Sequence, residues 1–250
     1  MSRQIAIFYH VYVTTNVLLW IDEQLGMIFK SGLMDVATLK INLLYKNYES
    51  MKEVAKYIDS NYDLTNVDVT WVKEHHPKPR YEAHTLTLIQ QYCKTNPDHK
   101  VLYIHTKGIS RPFTDKDMFP SNKNKPWTYN WRNCMQWHCI INYTSCLKDL
   151  ESHDIVGTKW VKGPSPPHFS GNFWWARADY INKLQDPMFF PRWWLWGRFS
   201  CEFWIGGSTI DKVSGRPKWK QFIPAEVPPR YKNYPYDRYM FTSPIDLDKL

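Results

Sequence analysis

Three short segments carry side chains whose types and spacing could do chemistry. The first is Tyr103-Ile104-His105-Thr106-Lys107-Gly108. His105 and Lys107 supply cationic or hydrogen-bonding groups, and Gly108 lets the backbone bend close to a ligand. A lysine there could neutralise a diphosphate as a point charge. The second is Pro167-His168-Phe169-Ser170-Gly171-Asn172-Phe173-Trp174-Trp175. Its Ser, Gly and Asn give adaptable hydrogen bonding beside two large rings. Sugars match that pairing, with C–H faces for stacking and hydroxyls for Asn172 and His168. The competing reading is a turn that packs Trp174 and Trp175 inward, and the expectation is one ring in the core and one lining a cleft. The third segment is Trp196-Gly197-Arg198-Phe199-Ser200-Cys201-Glu202-Phe203-Trp204. A carboxylate among aromatics is partly desolvated, which moves its pKa towards that of a general base. Against this stands a solvated glutamate at a helix start, favoured there by the dipole.

The elements that must hold these segments can be read from periodicity. Ile5 to Val13 is β-branched and aromatic, hence a strand. Val17, Trp20, Ile21, Leu25 and Ile28 have helical spacing, and Gly32 closes that helix. Leu39, Ile41, Leu43 and Tyr45 alternate as a strand does. Ser50-Met51-Lys52-Glu53 has the pattern of a capping box, ahead of Val54, Ala55, Ile58 and Tyr62. Val67, Val69 and Trp71 alternate again, Leu86, Ile89 and Cys93 suit a helix, and Val101 to Ile104 is a buried strand. This β-α-β-α-β-α-β order predicts an α/β fold with a mostly parallel, Rossmann-like central sheet flanked by helices. Ligands bind such sheets beyond the carboxyl ends of the strands, which directs attention to the residues after Val13, Trp71 and Ile104.

After residue 110 the texture changes. Residues 111–126 are polar with three prolines, and read as a loop. Trp127, Trp131, Cys134, His138, Ile141 and Leu150 fit one long helix, and Ile155-Val156-Gly157 a strand. Residues 168–184 read as a strand or turn followed by a helix. From Pro224 the chain is rich in Pro and Tyr and is expected to wrap the surface. The reading is one domain over 1–250, with a ligand-binding half at 1–110, an irregular Trp-rich half at 111–223 and a C-terminal segment at 224–250.

Composition narrows the classes further. The chain has 250 residues, a formal charge of +8, 43% hydrophobic residues and 13 tryptophans. Basic residues are spread over both halves without a like-charge run, and no nucleic-acid motif is present, so a nucleic-acid partner is not expected. No apolar run reaches the roughly 18 residues of a membrane span. Five cysteines at 93, 134, 139, 146 and 201, with no CxxC pair, argue against a disulfide framework or a structural zinc site. A reducing, cytoplasmic setting is expected. Cys134 and His138 stand four apart and could share a helix face, most simply as packing.

The order HTKG at a strand end, then SGNFWW, then a glutamate in EFW resembles a group of GT-A-type glycosyltransferases of the rhamnan-synthesis type and of large DNA viruses, chloroviruses among them. The likeness runs from the first strand to about residue 207. It implies a GT-A-like fold and transfer of a sugar from a nucleotide donor to a glycan acceptor, in the host cytoplasm if the protein is viral. A UDP-sugar is the default donor, with xylose first among the sugars. His10, Tyr12, Thr14 and Thr15 would approach the donor, and His105, Thr106, Lys107, Gly108 and Arg111 its diphosphate. His168, Ser170, Gly171, Asn172, Trp174, Trp175 and Trp204 would face the acceptor or the transferred sugar. Glu202 would be the general base of an inverting transfer. One departure stands out. Such enzymes commonly carry Asp-x-Asp after the central strand to hold a divalent metal, and here that place reads His105-Thr106-Lys107. Lys107 could replace the metal electrostatically. Alternatively, Asp115 and Asp117 could hold Mn²⁺ or Mg²⁺ through oxygen ligands. Two rival functions remain: a non-catalytic carbohydrate-binding protein using the Trp cluster, and a single-stranded nucleic-acid binder.

Overall fold

The computed structural model describes residues 3–74, 81–106, 126–161, 166–188, 199–206, 208–211, 218–221 and 230–234. In the first half every strand is followed by helix before the next strand. β1 (Ile5–Tyr12) leads to α1 (Val17–Lys30) and a one-turn α2 (Leu33–Val36), then β2 (Ala37–Tyr45), α3 (Tyr48–Asn61), β3 (Val67–Lys73), α4 (Ala83–Thr95) and β4 (Lys100–His105). The second half gives α5 (Pro126–Gln136), a π-helical turn (Trp137–Ile141), α6 (Tyr143–Asp149), β5 (Ile155–Thr158), β6 (Trp160–Val161), β7 (His168–Phe169), β8 (Trp174–Arg177), α7 (Ala178–Ile181), α8 (Phe199–Trp204), β9 (Ser208–Asp211), β10 (Lys218–Gln221) and β11 (Tyr231–Tyr234).

Seven strands form one sheet in the order β11-β5-β8-β4-β1-β2-β3. β1 pairs in parallel with β2 and β4, β2 with β3, and β5 with β11, while β8 runs antiparallel between β4 and β5. The fold is therefore mixed α/β, with a mostly parallel sheet flanked by helices. β1 at its centre is buried on both faces, which is why its sequence is continuously apolar rather than alternating. Side chains still alternate by face. Ile7, Tyr9 and Val11 pack with Ile21, Leu25 and Ile28 of α1, whereas Ala6 and Phe8 pack with Leu86, Ile89 and Cys93 of α4. Trp174 and Trp175 are consecutive on β8 and so enter opposite cores.

Four local expectations change. The N-cap of α3 lies three residues before its apparent capping box, at Asn47, whose side chain accepts the Ser50 N–H at 3.1 Å. The long helix expected from Trp127 to Leu150 is broken by the π-helical turn, in which the Asn142 N–H reaches back five residues to Trp137 O at 2.8 Å. Within that turn His138 is buried and stacks on Tyr234 at 4.6 Å and 9°. The segment after His168 turns back into the sheet as β8 before a single helical turn. Finally, residues 231–234 of the expected wrapping segment form strand β11 beside β5.

Candidate functional site

His10 and His105 lie in register on β1 and β4, near the carboxyl ends of adjacent parallel strands. Thr106 N–H donates to His10 O at 3.1 Å, and Tyr12 N–H to the Thr106 hydroxyl at 3.1 Å, so the two strand ends stay joined as they leave the sheet. Thr14 accepts the Val17 N–H at the entry to α1, and Thr15 beside it is exposed. Tyr12 OH donates to Glu74 Oε2 at 3.1 Å, with Lys46 Nζ 3.5 Å from the same oxygen. Three strand ends thus meet through one carboxylate.

His10 is buried and its protonation is determined by a relay. Asn42 Nδ2 donates to the Thr70 hydroxyl at 2.8 Å, and the Thr85 hydroxyl donates to Asn42 Oδ1 at 2.9 Å. Thr85 has only one hydroxyl proton, so His10 Nδ1, at 2.8 Å, must donate to Thr85 Oγ1. Burial lowers the His10 pKa to about 4, with the charge of Glu82 opposing and His105 and His84 assisting. At neutral pH His10 is therefore uncharged, with its N–H given to Thr85 and only Nε2 left, as an acceptor.

The second cluster joins all three segments singled out in the sequence. His105 Nε2 donates to Gly171 O at 2.9 Å. Gly171 N–H donates to Glu202 Oε2 at 3.3 Å. Asn172 Nδ2 donates to Glu82 Oε2 at 2.6 Å, and Trp174 Nε1 to Asn172 Oδ1 at 2.9 Å. The turn itself closes by Asn172 N–H to Phe169 O at 3.0 Å, with Gly171 at φ 92 and Asn172 at φ 58. Positive φ at the third position of such a turn favours glycine. Space demands it too, since a Cβ on Gly171 would stand 2.5 Å from Met135 Sδ and 2.9 Å from Trp131 Cζ2. Tyr103 OH donates to Glu82 Oε2 at 3.1 Å. Burial first, then the carboxylates of Glu82 and Glu202 among nearby groups, push its pKa well up. Cys201, next to Glu202, rests its thiol against the backbone of Glu82 and Ala83, and burial raises its pKa strongly.

The acceptor-facing expectations divide. Gly171 and Asn172 sit in the cluster, and Ser170 is half-buried with its N–H on Lys159 O at 3.1 Å. His168 is buried, its Nδ1 donating to Pro166 O at 2.7 Å and its ring 4.8 Å from that of Phe203. Trp174, Trp175 and Trp204 are core residues at 0%, 0% and 1% exposure. The N–H of Trp175 is met by Cys139 O at 2.8 Å, and that of Trp204 by Gln185 O at 2.7 Å. This corrects the expectation that one of the adjacent pair lines a cleft: β8 is central to the sheet, so both of its faces are covered. Lys107, Gly108, Arg111, Asp115 and Asp117 lie outside the described residues. Among the described residues no three His, Cys, Asp or Glu side chains gather as a metal site. Cys134 and His138 are packed in the core.

Several contributors escaped sequence reading. Glu82 occupies an N-cap position where Ser, Thr, Asp or Asn is the usual signal. Thr85 and Asn42 left no distinct signal, since the buried face of α4 also carries Gln90 and the β2 face of Asn42 also carries Thr38 and Lys40.

Together these features define an α/β protein with a buried polar cluster at the carboxyl edge of a mostly parallel sheet. The chain belongs to the family described as a domain of unknown function (DUF8361), which matches residues 8–195. No curated protein matches it. The family match includes His10, Glu82, His105 and the Gly171–Asn172 turn, and ends before Glu202. Among the described residues no helix is long and apolar enough to cross a membrane.

Proposed function

We propose that the protein is a GT-A-like glycosyltransferase that moves a sugar, by default from a UDP-sugar, to a glycan acceptor. One observation carries this reading. Three segments distant in sequence, at His105, Gly171–Asn172 and Glu202, 66 and 31 residues apart in turn, meet in one hydrogen-bonded cluster. They do so at the carboxyl edge, where parallel sheets bind ligands. The strand order β3-β2-β1-β4, followed by the antiparallel β8, also suits such a domain.

In this mechanism the donor lies over β1, β2 and β4. Tyr12 and Thr14 supply hydrogen bonds to it, neutral His10 keeps an acceptor at Nε2, and Lys107 with Arg111 carries positive charge to the diphosphate. An acceptor hydroxyl oxygen attacks the anomeric carbon as the bond from that carbon to the diphosphate oxygen breaks. The bonding electrons leave with the diphosphate, and Glu202 takes the hydroxyl proton. The Gly171 N–H on Glu202 fixes the carboxylate's orientation. The carbohydrate-binding alternative loses its main support, because its stacking rings Trp174, Trp175 and Trp204 are core residues.

A panel of UDP-, GDP- and TDP-sugars, read by thermal shift and then by donor hydrolysis, tests the proposal. Stabilisation by one nucleotide class is expected, and stabilisation by none would remove the reading. The same assay in EDTA separates the two ways of holding the diphosphate. Retained activity favours Lys107, and activity restored by Mn²⁺ or Mg²⁺ favours Asp115 and Asp117.

A further inference from the structure

We propose that Glu82 is a positioning residue: its carboxylate fixes the Gly171–Asn172 turn and holds His105 as an imidazolium, so that the Gly171 N–H stays on Glu202. Its consequence for turnover rests on the glycosyltransferase reading, whereas its consequence for His105 does not.

The carboxylate of Glu82 is turned away from its own helix. A side chain at the N-cap position of α4 would ordinarily accept from the first free N–H groups, and Glu82 makes no such bond. Its Oε2 instead receives Tyr103 OH and Asn172 Nδ2, and its Oε1 lies 3.6 Å from His105 Nδ1. Three donors from β4 and the turn converge on a side chain only 17% exposed. Left-handed backbone stands on both sides of this contact, at Tyr81 (φ 47) and Asn172 (φ 58). Such conformations in non-glycine residues persist where the surroundings over-determine them.

The protonation of His105 follows from its neighbours. Gly171 O can only accept, so Nε2 carries a proton. Nδ1 lies within ion-pair distance of the Glu82 carboxylate, an attraction gained in full only when the ring is protonated. Among the described residues, titratable groups near the ring also include Tyr103 on its own strand, stacked at 6.0 Å, His10 on β1, and Glu202 of α8 across the turn. Neutral His10 adds no charge, and buried Tyr103 stays un-ionised. Glu82 is thus the carboxylate in direct contact with the imidazolium. The turn hangs between two glutamates: Asn172 is held by Glu82, the Gly171 carbonyl by His105, and the Gly171 N–H by Glu202.

Glu82→Gln keeps the shape and can still accept from Tyr103 and Asn172, so the variant is expected to fold. Ring-nitrogen NMR of the full chain then reads His105 directly. The His105 titration midpoint should fall by about 1–3 pH units in Glu82→Gln, the effect of losing an adjacent opposite charge, and Glu82→Asp should restore part of it. The Gly171 amide resonance should move as well. On a donor that is turned over, kcat should fall about tenfold or more with KM little changed, since a small misplacement near the reacting atoms is costly. An unchanged His105 midpoint overturns the proposal, and so does an unchanged kcat on an active donor. If no nucleotide sugar is turned over, glycosyl transfer fails as a reading, and the titration together with the Gly171 resonance decides the role of Glu82.

Discussion

The two edges of the sheet carry similar residue types and use them differently. At the amino edge, Lys100 opens β4 opposite Arg177, the last residue of β8. A cavity of about 340 Å³ there is lined by Pro97, Asp98, His99, Lys100, Leu150, Glu151, Arg177 and Asp179. Its charges are partly solvated: Arg177 Nε reaches Asp179 at 2.9 Å with both side chains about a third exposed, and Lys100 Nζ donates to Leu147 O at 3.2 Å. At the carboxyl edge the polar groups are more deeply buried, and several partners come from distant parts of the chain. There His10 depends on Thr85 and Asn42, and Gly171 connects His105 to Glu202. Solvent can replace the first kind of contact at small cost. It cannot replace the second, where an unmet group would lie in a poorly polar interior. Burial of the polar groups, rather than charge or cavity volume, therefore distinguishes the edge of the candidate site.

Substitutions can break this contrast. The largest effect is expected at Gly171→Ala. The left-handed backbone alone costs about 1–3 kcal/mol. Crowding against Met135 and Trp131 adds to it. Chemical denaturation should show the loss, and a variant as stable as the parent would mean that the turn is not built as described.

The pH dependence of stability comes next. His10 has a pKa of about 4 when folded, against an ordinary value of 6.5. Between those values the unfolded chain binds a proton that the folded chain does not. Stability is complete above 6.5 and falls as pH drops towards 4, by on the order of 3 kcal/mol for this group. His138, buried and also lowered to about 4, adds a loss of the same sign. Denaturation midpoints measured from pH 7 to 4.5 should decline, and His10→Gln should flatten the decline. An equal slope in that variant would contradict the neutral, relay-held histidine.

The smallest effect belongs to the amino edge. Asp179→Asn should cost under about 1 kcal/mol, as exposed ion pairs generally do, and should leave donor turnover unchanged. A large loss there would erase the difference between the edges.

The two halves were also unequally legible in sequence. β1 to β4 and the helices between them follow apolar periodicity, because each helix covers the sheet with one stripe and each central strand is buried. The second half combines short strands with a broken helix. The π-helical turn at Trp137–Ile141 keeps helical spacing while shifting the register, so Cys134, His138 and Leu150 looked like one continuous face. The tryptophans misled for a related reason. Their number implied exposed stacking surfaces, but an antiparallel strand wedged into the middle of a sheet needs large side chains on both faces, and Trp174 and Trp175 supply them. In the site, His105, Gly171, Asn172 and Glu202 were visible because each sits in a distinctive short segment. Glu82 was not, since its role comes from where α4 begins relative to a turn 90 residues later.

On the proposed reading, the carboxyl-edge cluster is a reacting site in which Glu202 accepts a proton. The most direct test compares wild type with Glu202→Gln on the nucleotide sugar that stabilises the protein most. The account predicts unchanged donor binding and turnover reduced by about 10²–10⁴-fold, the usual contribution of a general base. Turnover by Glu202→Gln at the wild-type rate would contradict it.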